Sequence, residues 1–314
     1  MANLNEAADF TALRELIANH NSFIIFGHIN PDGDSIGAMC AAALILETMG
    51  KTDVRLYSRD GKPTFLSFLP GADRIQNRQT AGKHSAEVAL LLDCGGPKRI
   101  GDEFLHLLES AGTVAVVDHH ATNGGFGKLN IIDPDASSTC EILARFVLDS
   151  KIEVSAELAT CLYTGIMYDT GRFLHSNTTS AVFQACAELV RFGADPSDIA
   201  AKVFKQRSQA RLRMLGYALN NLHTAENNAI SWTTIERKVF EDLSAIDEDT
   251  EGIVEEIGAY AGCEAHVVFG QTPEGRTRVS MRSAGRVNVG DICAEFGGGG
   301  HDYAAGFRSK EPIE

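Results

Sequence analysis

Seven side chains that can hold a cation stand at the ends of three apolar runs. His28, Asp32 and Asp34 follow Phe23-Ile24-Ile25-Phe26-Gly27; Asp93 follows Val88-Ala89-Leu90-Leu91-Leu92; Asp118, His119 and His120 close Thr113-Val114-Ala115-Val116-Val117. Imidazoles mixed with carboxylates suit a divalent cation such as Mn²⁺. Taken singly, each has a structural alternative. Asp32 and Asp34 sit in an Asn-Pro, Asp-Gly turn, where an aspartate commonly caps the next helix.

The elements that must position these residues decide between the readings. The three runs are too apolar for surface strands, and helical stretches separate them, beginning with Ile36 to Leu46. Strands joined in this way pair in parallel, so their carboxyl ends share one edge, where ligands of open α/β sheets bind. The seven residues should therefore converge. Val54 to Tyr57 reads as a further strand, 58–78 as irregular, and 102–109 as a helix. A short amphipathic helix over 1–21 is assigned to packing.

Beyond residue 133 the pattern turns helical, over 138–149, 156–168, 179–192 and 196–222. Within it, Tyr168-Asp169-Thr170-Gly171 places an acid at the end of an apolar helix, by itself commonly a solvated position. The last of these helices, polar and carrying Lys202, Lys205, Arg207, Arg211 and Arg213, reads as a connector. After about 225 the pattern mixes strands, at Ile230–Ile235 and Glu264–Phe269, with helix. The window 241–256 holds eight acids and reads as a solvated helical surface. Arg276-Thr277-Arg278-Val279-Ser280-Met281-Arg282 alternates as a half-buried strand with Arg276, Arg278, Ser280 and Arg282 on its outer face. That face is either a local anion site or is paired with nearby acids. A helix from Val289 to Phe296 leads into Gly297-Gly298-Gly299-Gly300-His301, a run that lets backbone approach an anion closely or serves as a loop. No P-loop and no G-x-G-x-x-G after a strand is present. The expected fold is α/β: an N-terminal domain over 1–190 with a mostly parallel sheet flanked by helices, a helical linker over 191–222, and a smaller α/β domain over 223–314.

The totals agree with a two-domain protein. The chain has 314 residues, of which 44% are hydrophobic and 22% charged. The longest apolar run is far below the roughly 18 residues of a membrane span, and the N-terminus lacks the pattern of a secretory signal. Seven scattered cysteines without a C-x-x-C pair read as buried thiols in a reducing cytoplasm. The net charge of −14 argues against adhesion to long or duplex nucleic acid, while leaving room for a small anionic substrate in a local basic pocket.

Taken in order, His28-x-x-x-Asp32-x-Asp34, Asp93, Asp118-His119-His120, Asp169-Thr170-Gly171 and the glycine run ending at His301 resemble the DHH phosphoesterase superfamily with its DHHA1 C-terminal domain. Within it, the size and motif order are similar to the group that degrades short oligoribonucleotides and dephosphorylates phosphoadenosine phosphate. The resemblance covers about residues 22 to 307. It implies two divalent metal ions, Mn²⁺ with Mg²⁺ or Co²⁺ as alternatives: one held by His28, Asp32 and Asp93, the other by Asp34, Asp93, His119 and Asp169. It further implies that Asp118 orients a histidine, and that His120 lies against the scissile phosphate as charge stabiliser or proton donor. Gly298, Gly299, Gly300 and His301, with Arg282 and Ser283, would hold the substrate's terminal phosphate and nucleotide from across an inter-domain cleft. Two divalent ions roughly 3.5–4 Å apart can activate water and neutralise phosphoryl oxygens.

There are two departures: Leu174, His175 and Ser176 stand where the family usually carries a basic or amide residue, which bears on substrate preference, and Cys94-Gly95-Gly96 lacks an acid often found just after this motif. The expectation is a cytoplasmic hydrolase of short oligonucleotides to 5′-mononucleotides, also acting on 3′-phosphoadenosine 5′-phosphate. A homodimer is compatible with it. The main competitor is a phosphodiesterase of cyclic or linear signalling dinucleotides. A long-strand exonuclease, an inorganic pyrophosphatase and an inactive nucleotide sensor fit the motifs less well.

Overall fold

The computed structural model describes residues 10–79, 85–205 and 208–313. The chain divides into two compact units, over 1–206 and 207–314. In the first, six parallel strands form one sheet in the order β3-β2-β1-β4-β5-β6: β1 (Ser22–Phe26), β2 (Asp53–Tyr57), β3 (Ile75–Gln76), β4 (Val88–Leu92), β5 (Thr113–Asp118) and β6 (Leu129–Ile132). The three apolar runs are β1, β4 and β5, adjacent and in parallel register. Both sheet faces are covered, which is why these strands read as continuous apolar runs instead of alternating. Phe23, Ile25, Leu90, Leu92 and Val117 pack with the helices α2 (Gly33–Thr48), α4 (Thr139–Asp149), α5 (Ala156–Asp169) and α6 (Ser180–Arg191); Ile24, Phe26, Leu91 and Val116 meet Tyr57, Phe104 and Leu107 on the other face. α1 (Thr11–Asn19) buries Leu13 and Ile17, and α3 (Leu105–Ser110) completes the second layer. Residues 1–9 of the expected N-terminal helix lie outside the described residues.

β6 had no counterpart in the sequence reading. It is a four-residue edge strand with only Ile131 fully buried, too short and too polar for a periodic signal. The helix expected over 196–222 is not continuous. α7 (Pro196–Ala200) runs into a π-helical turn, Ala201–Lys205, and a new helix, α8 (Gln209–Asn220), starts at the cap Ser208. The Ser208 hydroxyl accepts from the Arg211 amide and donates to Asp249, so the break is built by a capping residue. α8 buries Met214 and Ala218 in the second unit's core.

The second unit is a six-stranded sheet in the order β11-β12-β10-β9-β8-β7, antiparallel except for β8 beside β9. Its strands are β7 (His223–Ala225), β8 (Ile230–Ile235), β9 (Ala265–Gln271), β10 (Thr277–Ser283), β11 (Gly299–His301) and β12 (Ala304–Ser309). α9 (Arg237–Leu243) and α10 (Ile253–Ile257) cover one face with α8, and α11 (Val289–Glu295) covers part of the other. The acidic window is therefore not wholly a solvated surface: α10 buries Ile253, Val254 and Ile257, and Asp249 is a buried partner of Ser208 and the Ile246 amide. All seven cysteines are buried thiols. No described helix is long and apolar enough to cross a membrane.

Candidate metal centre

β1 ends in Gly27, and the chain turns through His28 into α2. Asp32 caps that helix, its Oδ1 accepting from the Asp34 and Ser35 amides at 3.0 Å each. The cap fixes the loop so that Asp34, in the first turn, points inward and is wholly buried. There it accepts the Thr139 amide at 2.7 Å on Oδ2 and the Cys140 amide at 2.9 Å on Oδ1. Both donors are orphan N–H groups of the first turn of α4, where a carboxylate is also favoured by the helix dipole.

Asp93 stands one residue past β4 with φ at 57°, the left-handed region that aspartate tolerates better than most residues. Held there, its carboxylate is the hub of the site. Oδ2 lies 3.3 Å from His28 Nε2, and Oδ1 lies 3.5 Å from His119 Nε2 and 3.6 Å from His120 Nδ1. His119 Nε2 is also 3.2 Å from Asp169 Oδ2, at the end of α5, and His28 Nε2 is 3.8 Å from Asp32 Oδ1. Ligand atoms of His28, Asp32 and Asp93 lie within 4.8 Å of one another, as do those of Asp34, Asp93 and His119 and those of Asp93, Asp118 and His120, so three triads share Asp93.

Asp118 borders the same cluster, a ligand atom of it lying within 4.8 Å of ligand atoms of Asp93 and His120. Its Oδ1 accepts the His119 amide at 2.9 Å and His120 Nδ1 at 2.7 Å, while Oδ2 accepts Asn123 Nδ2 at 2.6 Å. Asn123 also donates to the Cys94 carbonyl at 3.1 Å, locking the turn after β5 to the turn after β4. The sequence reading missed Asn123, Thr139 and Cys140. Asn123 reads as an ordinary turn residue; Thr139 and Cys140 hold Asp34 through backbone amides, which carry no side-chain signature, and the Thr139 hydroxyl also donates to Asp93 Oδ1 at 3.4 Å.

The electrostatics require positive charge. Burial disfavours charge on His28 and His119, yet the carboxylates around them outweigh it and hold both imidazoles well above their ordinary pKa. Burial pushes Asp34 well up, helped by Asp93 and Asp169, and pushes Asp169 up to about 6. Asp93 is also penalised by burial, but its bonds to His119 and His28 bring it well below the carboxylate range. His28 Nδ1 lies 2.8 Å from the Ile29 carbonyl, which can only accept, so Nδ1 carries a proton. In neutral His28 the Nε2 lone pair would then confront carboxylate lone pairs, an arrangement that a cation between them relieves. Donor chemistry, burial and excess negative charge all fit divalent metal ions.

The residues expected to bind substrate lie in the second unit. Gly299–His301 form β11, paired with β12, so the glycine run is a turn entering an edge strand. A Cβ at Gly298 would collide with the Gly306 carbonyl and Phe307, and one at Gly300 with the Ala304 carbonyl; Gly299 faces open space. Close sheet packing thus explains two of the four glycines, and Gly297 takes a left-handed φ of 76°. Arg282 is held by Glu255, with Nε 2.8 Å from Oε1, and by the Met281 carbonyl. Ser283 Oγ donates to Glu264 at 3.2 Å and accepts the Gly285 amide at 3.0 Å. His175, one of the two departures, places Nδ1 3.2 Å from the Asp169 carbonyl, which Asn177 Nδ2 also meets at 3.2 Å.

Comparison with known proteins places the chain in a family. Residues 22–166 match the DHH family, N-terminal domain, and residues 238–314 match the DHHA1 domain. The bifunctional oligoribonuclease and PAP phosphatase NrnA of Thermus thermophilus is 30% identical over 279 residues, covering 89% of this chain and 81% of that protein. The cyclic-di-AMP phosphodiesterase PdeA of Listeria monocytogenes is 29% identical, covering 92% of this chain and 45% of that protein. Among solved structures, an exopolyphosphatase-related protein from Bacteroides fragilis superposes with a TM-score of 0.87 at 27% identity, covering 96% of this chain and 91% of that one. With the two domain matches in sequence order and a full-length relative at that identity, the chain belongs to the DHH family, its DHH domain followed by a DHHA1 domain.

Proposed function

We propose that this chain is a divalent-metal-dependent phosphohydrolase that cuts short oligoribonucleotides to 5′-mononucleotides and removes the 3′-phosphate of phosphoadenosine phosphate, with Mn²⁺ as its working metal. The observation that carries the reading is that the groups His28–Asp32–Asp93 and Asp34–Asp93–His119 meet at Asp93. His28, Asp32 and Asp93 would hold one ion; Asp34, Asp93, His119 and Asp169 would hold the other. Four carboxylates then face two dications, which balances the charge. When bound, such a pair supplies Lewis acidity towards water and the phosphoryl group. The protein's own part is to fix geometry and move a proton. The α4 amides anchor Asp34, and the left-handed turn aims Asp93. Asp118 accepts from His120 Nδ1, so any proton that His120 gives to a leaving oxygen departs from Nε2. Gly299 and His301 are assigned to the substrate's terminal nucleotide, with Arg282, oriented by Glu255, and Ser283 beside them.

The names of the relatives support this choice of substrates, and the Listeria relative keeps a cyclic dinucleotide as the second candidate. The test is a panel with purified protein and Mn²⁺: phosphoadenosine phosphate, a dinucleotide, a five-mer, a long single strand, cyclic di-AMP and pyrophosphate. The expected order favours the first three. Preference for cyclic di-AMP would transfer the assignment to the second reading. Asp93→Ala should abolish every metal-dependent activity, by about a thousandfold or more, since both ligand groups lose a member; normal turnover in that variant would remove the bridging role.

A further inference from the structure

The outer face of β10 and β12 carries a feature that the metal centre does not use. The antiparallel register sets Arg278 directly opposite Arg308. Like charges at such positions repel and destabilise a sheet unless something negative joins them. Both are exposed, and among the described residues neither side chain has an ion-pair or hydrogen-bond partner. Three other arginines of this unit are matched by acids: Arg282 by Glu255, Arg237 by Asp247 and Arg286 by Glu264. Arg276, just before β10, and Lys310, just after β12, are also exposed and add charge at the same end. Glu274, at the tip of the preceding hairpin, is held below the usual carboxylate range, first by Thr272 and its own backbone, then by the charges of Arg276 and Arg308. Among the described residues it forms no ion pair with Arg308, the member of the pair whose charge it feels.

Period-two geometry and register define the rest of this face. Ser280 lies opposite Gly306, which lies opposite Gly299; Arg282 lies opposite Ala304, which lies opposite His301. A floor of Ser280, Gly306 and Gly299 therefore runs from the Arg278–Arg308 end to the Arg282–His301 end with no bulky side chain on it. Four strand residues span about 13 Å. The two phosphates of a single nucleotide cannot bridge that gap, but the backbone of a chain of a few nucleotides can.

We infer that Arg278 and Arg308 form a second phosphate subsite, which engages a backbone phosphate of oligonucleotides of three or more residues. The subsite rests on the phosphohydrolase reading for its choice of ligand. Two guanidinium forks side by side match the oxygens of one phosphodiester. Mononucleotides and dinucleotides do not reach it. The pair thus sets how substrate length is read, and supplies local positive charge in a chain whose net charge is −14.

The test uses the full-length chain with Mn²⁺ and the double variants R278Q/R308Q and R278K/R308K. For R278Q/R308Q, kcat/KM on a five-mer should fall about tenfold or more, through KM, with kcat kept. Phosphoadenosine phosphate and a dinucleotide should be cleaved as by wild type, and the lysine variant should recover most of the loss. Five-mer affinity of R278Q/R308Q should also depend less on salt, its log–log slope being shallower by about 1 to 1.5. An unchanged five-mer, or an equal loss on every substrate, overturns the subsite. If wild type hydrolyses nothing in the panel, the phosphohydrolase reading fails, and anisotropy of a labelled five-mer against a labelled dinucleotide still decides the subsite: selective weakening of the five-mer supports it, and equal binding by both proteins refutes it.

Discussion

The groups around Asp93 give the metal-free protein a pH dependence whose sign follows residue by residue. Asp169, raised to about 6, and Asp34, raised well above the ordinary carboxylate range, keep protons when folded that the unfolded chain releases near pH 4. Their contribution to stability therefore falls as pH rises through that window. His28 and His119, held above their ordinary value, stabilise the fold below about pH 6.5, and this is lost as pH climbs through their folded values. Asp93, held low, acts in the opposite sense, but only in acid. From about pH 4 upward the ligand set loses stability that cations taking the place of protons restore. The stabilisation produced by a fixed Mn²⁺ concentration should be larger at pH 8 than at pH 5.5, by about 1.4 kcal/mol per displaced proton and pH unit, and the rise in Tm larger with it. Thermal melts of stripped and reloaded protein measure it, and equal shifts at both pH values would show that these groups are not the ligands. At this scale the sequence was informative where a side chain ends a strand, as with Asp93 or His119. It was silent where a backbone amide or a turn asparagine does the positioning.

At the scale of elements, the legible parts were those whose burial leaves one composition available. β1, β4 and β5 are covered on both faces and had to be apolar throughout. β6, at the edge, was under no such constraint and went unread. The packing of α2, α4 and α5 was equally hidden, because it depends on Gly165 in mid-helix. A Cβ there would strike Cys140 Sγ and come within 2.6 Å of Asp34 Oδ1. Gly165→Ala should therefore cost about 1–3 kcal/mol in urea unfolding, despite alanine's better helix propensity, and should weaken Mn²⁺ binding by displacing Asp34. Gly216 in α8 has nothing within 4 Å of the place a methyl group would occupy and serves as the control. Gly216→Ala should be neutral or stabilising by up to about 1 kcal/mol. Equal effects of the two substitutions would mean that helix propensity, not the fit beside Asp34, governs this layer.

For the whole molecule, the charge balance selects what can dock. The chain carries −14 overall, and its candidate centre gathers Asp32, Asp34, Asp93, Asp118 and Asp169 beside three imidazoles. An anion approaching that pocket meets repulsion unless divalent cations reverse the local charge. Long polyanions meet the added repulsion of the rest of the surface, and they gain counterion release only where arginines cluster. A labelled dinucleotide should therefore bind in the presence of Ca²⁺ or Mn²⁺ and lose at least about a hundredfold in affinity when a chelator strips the protein, as expected for a ligand that binds through a bound cation. Duplex DNA added at the same phosphate concentration should not compete. Fluorescence anisotropy reads both arms. Undiminished binding to the stripped protein would place the docking site away from the acids and deprive the metal centre of its role in substrate capture, whereas competition by duplex would show that the negative surface does not discriminate by length.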